Sequence, residues 1–248
     1  MDAPGLPESI VRAARVARTV AVLTGAGMSA ESGVPTFRGT GGLWRSWRPE
    51  DLATAEAFAR DPQTVWAWYR WRQRLIAGAQ PNEGHLALAR CAASRAGWRL
   101  VTQNVDGLHQ RAGSSGVVEL HGSIWRLQCW EGCGREAHVE PEAVPPEEAP
   151  LPHCACGALQ RPGVVWFGEA LDPAVVADAE RLTEAADVLI VIGTSAVVYP
   201  AAALPDRARR RGALVVEINP APTAFSDRAD VVVRASAVQA LTALERAL

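Results

Sequence analysis

Four of the five cysteines form two close pairs that could hold a metal ion. They are Cys129, Cys133, Cys154 and Cys156. Tetrahedral zinc takes four soft ligands from two short loops, and four protein ligands leave no position for water, so the spacing indicates a structural zinc ion. His138 and His153 lie nearby in sequence and could each replace a cysteine. Disulfides are the alternative, which a reducing compartment disfavours.

A glycine-rich segment follows the apolar run at 19–23 and suits phosphate binding. It runs from Gly25 through Gly27 to Gly33. Backbone N–H groups without side chains around them can approach phosphate oxygens, and a following helix adds a favourable dipole. The spacing differs from the standard dinucleotide fingerprint, so a tight strand-to-helix turn is the alternative.

Polar groups follow several other apolar runs. Gln103, Asn104 and Asp106 carry amide and carboxylate groups suited to an amide-bearing ring and ribose hydroxyls, although an ordinary Asn-Asp-Gly turn is the alternative. His121 follows the run at 117–120 and is a candidate general base, or a structural histidine. Asn219 could hold an adenosine ribose without the usual acidic side chain.

The elements that position these groups are predicted from short, β-branched apolar runs, which are typical of buried strands. These runs lie at 19–23, 99–102, 117–120, 188–192, 214–218 and 231–234. Helical patterns lie between them: one spans 9–17, Asp172-Pro173 begins another, and Gly212 ends a third. This alternation predicts an α/β fold with a mostly parallel, doubly wound sheet, whose strand ends meet at one cleft.

Two stretches interrupt the alternation and predict a smaller second domain. Residues 39–77 read as largely helical, with a helix starting at Asp61-Pro62, and residues 125–162 hold the cysteines. We therefore expect a Rossmann-type domain from 1–38, 78–124 and 163–248. The helical module and the zinc-binding module would together form the small domain.

Composition limits the function further. The 248 residues carry a net charge of −2, and the one basic run, at 207–211, is typical of a solvated helix face. Nucleic acid and membrane partners are therefore not expected. The charged N-terminus and the absence of a long apolar run predict a cytoplasmic protein, and we expect a monomer. Cys91 stands in an apolar helical pattern and is expected to be a core residue.

Seven segments, in order, resemble the sirtuins from about Val20 onward. They are Gly25–Arg38, Thr102–Asp106, His121-Gly122, the four cysteines, Val164–Glu169, Gly193–Ser195 and Ile218-Asn219. The resemblance implies NAD-dependent deacylation of protein lysines, with NAD consumed and nicotinamide and O-acyl-ADP-ribose released. The partners would be proteins with acylated lysines, bound as an added strand with broad tolerance of flanking residues.

The resemblance also implies residue roles. His121 and Asn104 would be catalytic, with His121 taking a proton from a ribose hydroxyl. The NAD-binding residues would be Gly25, Ala26, Gly27, Ser29, Glu31, Thr36, Phe37, Arg38, Trp44, Gln103, Asn104, Val105, Asp106, Gly193, Thr194, Ser195, Asn219 and Ala237. The substrate would contact Ala53, Tyr69, Arg72, Val164, Val165, Phe167 and Gly168.

Two features separate this chain from many sirtuins. Thr36 stands where many carry aspartate. Tyr69 and Arg72 lie three apart on one predicted helix face, and this pair resembles the bacterial subgroup that removes succinyl and malonyl groups. Arg72 could pair with an acyl carboxylate and Ala53 could leave room for the chain. The alternative is that arginines solvate a tryptophan-rich helix.

Other functions remain open at this point. Mono-ADP-ribosyl transfer would use the same cleft, and a non-catalytic NAD-sensing module would need no base at His121. A zinc-ribbon nucleic-acid binder is opposed by the near-neutral charge and the lack of a basic stripe.

Overall fold

The computed structural model describes residues 6–38, 42–43, 46 and 48–248. Within these residues the helices are α1 (Glu8–Val16), α2 (Pro49–Leu52), α3 (Ala55–Arg60), α4 (Pro62–Gly78), α5 (Glu83–Ser94), α6 (Leu108–Arg111), α7 (Pro173–Glu184), α8 (Leu204–Arg210) and α9 (Ala237–Ala247). The strands are β1 (Val20–Thr24), β2 (Trp98–Thr102), β3 (Val118–Glu119), β4 (Gly122–Cys129), β5 (Glu136–His138), β6 (Gln160–Val164), β7 (Val188–Ile192), β8 (Leu214–Ile218) and β9 (Val231–Val233).

In the described chain, six of the strands form one parallel sheet. Their order is β3-β2-β1-β7-β8-β9, and every pair along it is parallel. This is the doubly wound arrangement, and the strand order reverses between β1 and β7, where such sheets open a crevice at their carboxyl ends. The predicted fold class is confirmed.

Burial explains why these strands were visible in the sequence. All residues of β1 and β7 are buried, because helices cover both faces of the sheet. One core lies between the sheet and helices α1, α5 and α9, and another lies between the sheet and helices α7 and α8. Cys91 belongs to the first core, as predicted, and burial raises the pKa of its thiol to about 11.

A second, smaller sheet packs against the helical segment. It is antiparallel in the order β5-β4-β6. Helix α4 begins as predicted: Asp61 accepts a hydrogen bond from the Thr64 N–H at 3.0 Å, and Pro62 occupies the first turn. A third core joins α3 and α4 to β4 and β6 through Phe58, Trp66 and Ile124.

Several predicted bounds need correction. The strand expected at 117–120 is only Val118–Glu119, because β3 is an edge strand that follows a turn at Gly116, where φ is +63°. The strands of the second sheet were not predicted. Since β4 begins at Gly122, the predicted domain limits at 124 and 163 fall inside strands, and the division into domains stays a prediction.

None of the helices in the described residues is both long enough and apolar enough to cross a bilayer.

Candidate active site

A cleft of about 770 Å³ opens at the carboxyl ends of the parallel strands, where β1 meets β7. The glycine loop after β1 forms its floor. The Gly27 N–H donates to the Gly193 carbonyl at 2.8 Å. A Cβ added to Gly27 would lie 2.7 Å from Gly193 Cα, so the two loops touch through backbone alone. In this glycine cradle the Gly25 N–H likewise donates to the Ile192 carbonyl at 3.0 Å, and the absence of side chains at both glycines lets a phosphate-bearing ligand approach the loop backbone.

His121 lies on the cleft wall with a defined tautomer. Its Nδ1 is 3.0 Å from the Gln103 carbonyl oxygen, which can only accept, so Nδ1 carries the proton. Nε2 of the neutral ring is then free to take a proton. Burial lowers the pKa of His121, and the hydrogen bond to Gln103 opposes that shift in part. The ring is therefore neutral at pH 7 and suited to general base catalysis.

Asn104 is oriented by two hydrogen bonds beneath the cleft. Its Nδ2 donates to the Gly25 carbonyl at 3.1 Å and to Ser29 Oγ at 3.2 Å. Because Gly25 offers only an acceptor there, the amide nitrogen must face it and Oδ1 is left to accept from a bound hydroxyl. Ser29 in turn donates to Asp106 Oδ2 at 2.7 Å. Burial raises the pKa of Asp106, while its bonds from Leu108 and Ser29 lower it.

The opposite end of the cleft is built around Thr194. Gln103 Nε2 donates to Thr194 Oγ1 at 3.0 Å, and Asn219 Nδ2 donates to the Thr194 carbonyl at 3.1 Å. The loop after β8 is held by Glu217, which is 2% exposed and pairs with Arg234 at 2.7 Å. Arg234 also donates to the Asn219 carbonyl at 3.3 Å. This end therefore presents a fixed polar surface beside the glycine cradle.

A buried cation lies on the other wall, on helix α4. The Arg72 guanidinium is 8% exposed and stacks 4.9 Å from both the Phe37 and the Trp68 rings. Within the described chain, no carboxylate lies within ion-pair distance of it, but the buried Asp106 carboxylate interacts with it electrostatically from farther away. Tyr69 lies beside it, 2% exposed, with a pKa raised by burial and lowered in part by Arg72. The pair presents a cation and a hydroxyl to the cleft.

The four cysteines converge at the end of the second sheet. Their Sγ atoms all lie within 4.8 Å of one another. Cys129 and Cys156 are 3.5 Å apart and Cys133 and Cys154 are 3.6 Å apart, close to the roughly 3.8 Å that four thiolates about 2.3 Å from a zinc ion would show. The cysteines are positioned to hold a zinc ion.

The histidines predicted as alternative ligands are outside this group. His138 lies 4.0 Å from the Glu140 carboxylate, and His153 Nδ1 lies 3.0 Å from the Leu151 carbonyl. Among the described residues, the metal group therefore consists of cysteines alone.

Most residues predicted for the site are brought together in the cleft. Those predicted for NAD that line it are Gly25, Ala26, Gly27, Glu31, Thr36, Phe37, Arg38, Gln103, Asn104, Val105, Gly193, Thr194, Ser195, Asn219 and Ala237. Those predicted for substrate also line it: Ala53, Tyr69, Arg72, Val164, Val165, Phe167 and Gly168. Ser29 and Asp106 lie behind the floor, and Trp44 is outside the described residues.

Sequence reasoning missed several cleft residues, including Trp68, Tyr199 and the loop at 220–223. Trp68 is four residues before Arg72 on the same helix face, so helical periodicity could have found it. Trp166 was noticed only as part of the segment Val164–Glu169. No local signal marks the loop at 220–223, since its position depends on the buried pair behind it.

Comparison with known proteins identifies the family. Residues 25–200 match the family described as the Sir2 family. The chain belongs to the Sir2 family. Among the relatives of this sirtuin, the NAD-dependent protein deacylase of Aquifex aeolicus is 54% identical over 213 residues, 86% of this chain and 87% of the relative. NAD-dependent protein deacylase 2 of Pyrobaculum aerophilum is 54% identical over 228 residues, 92% and 90% of the two chains.

Solved Sir2 structures share the whole architecture of this sirtuin. A mutant Sir2 homologue in complex with ADP-ribose has a TM-score of 0.93 at 46% identity, covering 98% of this chain and 96% of the other. A Sir2 homologue in complex with NAD has a TM-score of 0.90 at 47% identity, covering 97% and 93%. A Sir2 with a deacetylated peptide and 3′-O-acetyl-ADP-ribose has a TM-score of 0.87 at 32% identity, covering 96% and 97%.

Proposed function

We propose that this sirtuin is an NAD-dependent protein-lysine deacylase that accepts acidic acyl groups such as succinyl and malonyl as well as acetyl. One observation carries the activity: a single cleft combines a glycine cradle, a neutral His121 with a free Nε2, and an apolar wall at Val164–Gly168. The relatives named NAD-dependent protein deacylase support the same activity.

Each group of residues has a distinct task. NAD supplies the ADP-ribosyl group that accepts the acyl oxygen. The phosphates lie against the loop at Gly25 and Gly27, whose backbone no side chain covers, and Asn104 Oδ1 accepts from a ribose hydroxyl. His121 Nε2 takes a proton from a ribose hydroxyl, while its Nδ1–H stays bonded to Gln103. The narrow cleft holds the acylated lysine against these groups.

The acyl preference rests on Arg72 and Tyr69. The nearly buried Arg72 guanidinium has no carboxylate in ion-pair contact among the described residues and interacts with the Asp106 carboxylate from farther away, so an anion that arrives with the substrate would stabilise it. A succinyl or malonyl carboxylate offers that anion and matches the planar fork of arginine. Ala53, which is 6% exposed and lines the same part of the cleft, leaves space for the longer acyl chain.

The test is mass spectrometry of paired acetyl-lysine and succinyl-lysine peptides, each incubated with the protein with and without NAD. We expect NAD-dependent loss of the acyl group from both, with release of nicotinamide. Loss of acetyl alone would reject the acidic-acyl pocket while keeping the deacylase. Added ADP-ribose mass on a protein with no acyl loss would favour ADP-ribosyl transfer, and binding without nicotinamide release would favour an NAD sensor.

A further inference from the structure

The hydroxyl of Tyr69 has a fixed role as an acceptor toward one neighbour. Trp166 Nε1 lies 2.9 Å from the Tyr69 oxygen, and both side chains are 2% exposed. An indole N–H can donate but cannot accept, so the tyrosine oxygen accepts this bond. The phenolic proton therefore cannot point at Trp166 and is directed elsewhere.

The open direction for that proton is the cleft. Tyr69 packs edge-on against Trp68, with ring centroids 4.8 Å apart, so the Trp68 ring covers one side of the tyrosine side chain. Arg72, on the other side, carries only donors. Within the described residues, Trp166 is the one hydrogen-bond partner of the Tyr69 hydroxyl. Tyr69 and Trp166 both line the cleft. A carboxylate arriving beside Arg72 would accept the proton.

Trp166 is itself held from two directions. Arg161 Cζ lies 3.5 Å from the centroid of the indole ring, and Arg161 pairs with the carboxylate of Glu169. The same carboxylate accepts from the Trp166 backbone N–H at 2.8 Å. Burial raises the pKa of Glu169, but the bonds from Arg161 and Trp166 outweigh it and hold the pKa low. The indole N–H is thus aimed at Tyr69 by a charged pair.

We infer that Trp166 is a positioning residue for acyl selectivity, which commits the Tyr69 hydroxyl to donate toward a carboxylate on the acyl group. The inference rests on the acidic-acyl pocket proposed above. An acetyl group has no carboxylate to accept this bond, so the effect of Trp166 appears as a ratio between acyl substrates.

The test compares Trp166→Phe with Trp66→Phe. Trp66 is a matched control, because it is 2% exposed, lies on α4 outside the cleft, and donates from Nε1 to the Gln160 carbonyl at the same 2.9 Å. We expect Trp166→Phe to lower the ratio of kcat/KM for succinyl over acetyl peptides by about tenfold, mainly through KM for the succinyl peptide. Trp66→Phe should leave the ratio within about twofold, which is below the effect of one hydrogen bond to a charged group.

A second comparison tests whether Trp166 acts through Tyr69. In a Tyr69→Phe background, adding Trp166→Phe should change the succinyl-to-acetyl ratio by less than about twofold, because the acceptor is already gone. An unchanged ratio in the single variant, or an equal drop in both backgrounds, overturns the inference.

A titration separates this inference from the proposed function. The chain has two tyrosines, so Tyr199→Phe leaves Tyr69 as the only phenol. Phenolate absorbance should show that Trp166→Phe raises the pKa of Tyr69 further, since it removes a donor to the phenolate, with circular dichroism confirming the fold. If the wild-type protein removes acetyl only, the proposed pocket fails. The selectivity role of Trp166 would then fail with it. If the wild-type protein removes succinyl as well and Trp166→Phe leaves the tyrosine pKa unchanged, the proposed function stands and the positioning role alone is overturned.

Discussion

His121 can act as a base because its proton already lies on Nδ1. The Gln103 carbonyl holds the hydrogen on Nδ1, which leaves the Nε2 lone pair able to accept a proton. Burial favours the neutral ring over the charged one, so the same packing that orients the imidazole also keeps it able to accept a proton.

The pH dependence of activity follows from this burial. The pKa of His121 is lowered below its ordinary value near 6.5, and the active form is the neutral ring. We therefore expect kcat/KM to be level near pH 7 and to fall only as pH drops below about 6.5, toward the lowered pKa. The profile is measured as kcat/KM against pH at constant ionic strength. NAD binding is measured over the same pH range as a control.

The variant His121→Ala should lose at least about a hundredfold in turnover, the usual contribution of a general base, while NAD binding by calorimetry stays mostly intact. A variant that keeps near-normal turnover would remove His121 as the base.

We propose that Arg72 distinguishes acyl groups by charge. We expect Arg72→Met to lower kcat/KM for succinyl peptides by roughly 10- to 100-fold more than for acetyl peptides, since it deletes a charge-assisted bond from a nearly buried site. Arg74→Met is the matched control on the same helix, because Arg74 instead bonds the Pro145 carbonyl at 3.1 Å. Equal losses on both substrates for Arg72→Met would leave that residue a structural role only.

At the scale of elements, the two loops of the proposed cofactor site pack against each other in direct backbone contact. The loop after β1 and the loop after β7 meet at Gly27 and Gly193, with backbone against backbone. Because backbone atoms cannot rotate away as a side chain can, the contact fixes the distance between the two strand ends.

A methyl group at this contact should therefore damage the site. We expect Gly27→Ala to weaken ADP-ribose binding by more than about tenfold and to destabilise the fold by about 1–3 kcal/mol, as overpacking does. Gly78→Ala is the control, because a Cβ there meets nothing within 4 Å. Calorimetry and thermal unfolding measure both effects, and normal ADP-ribose affinity in Gly27→Ala would refute the close contact.

The elements that sequence predicted well are those whose burial leaves a continuous apolar run. Strands β7 and β8 begin and end at the predicted residues, and β1 and β2 differ by one residue. The second sheet gave no such signal in the sequence. Every residue of β5 is exposed, and in β6 Pro162 stands where a run of β-branched residues would have indicated a strand. The bond from Trp166 to Tyr69 was not predictable, because it joins residues 97 positions apart.

At the scale of the whole molecule, we expect the metal site to stabilise the end of the second sheet, beyond the third core. The cysteines join the end of β4 to the loop before β6, and two of them are exposed. A bound metal would therefore link these two segments directly, in addition to the packing of Trp130 and Leu159 against the third core.

Removal of zinc should be visible without any activity measurement. We expect one zinc ion per chain, and we expect Cys154→Ser to lose it and to lower Tm by on the order of 10 °C, because metal binding contributes to folding free energy. Cys91→Ser should keep the metal, since Cys91 lies in the core of the large sheet. Elemental analysis and thermal unfolding measure these outcomes, and full zinc content in Cys154→Ser would reject the four-cysteine site.

Helix α4 joins the zinc module to the acyl pocket. Arg70 on this helix donates to the Glu147 carbonyl at 3.1 Å and to the Pro150 carbonyl at 2.7 Å, while Tyr69 and Arg72 face the cleft. The two residues proposed to recognise the charge of the acyl group, Tyr69 and Arg72, thus lie in one uninterrupted stretch of seventeen residues that holds neither His121 nor the glycine cradle. In evolutionary terms, a single recombination event across this stretch can exchange the preference between relatives, provided that the recipient already has the indole donor at Trp166.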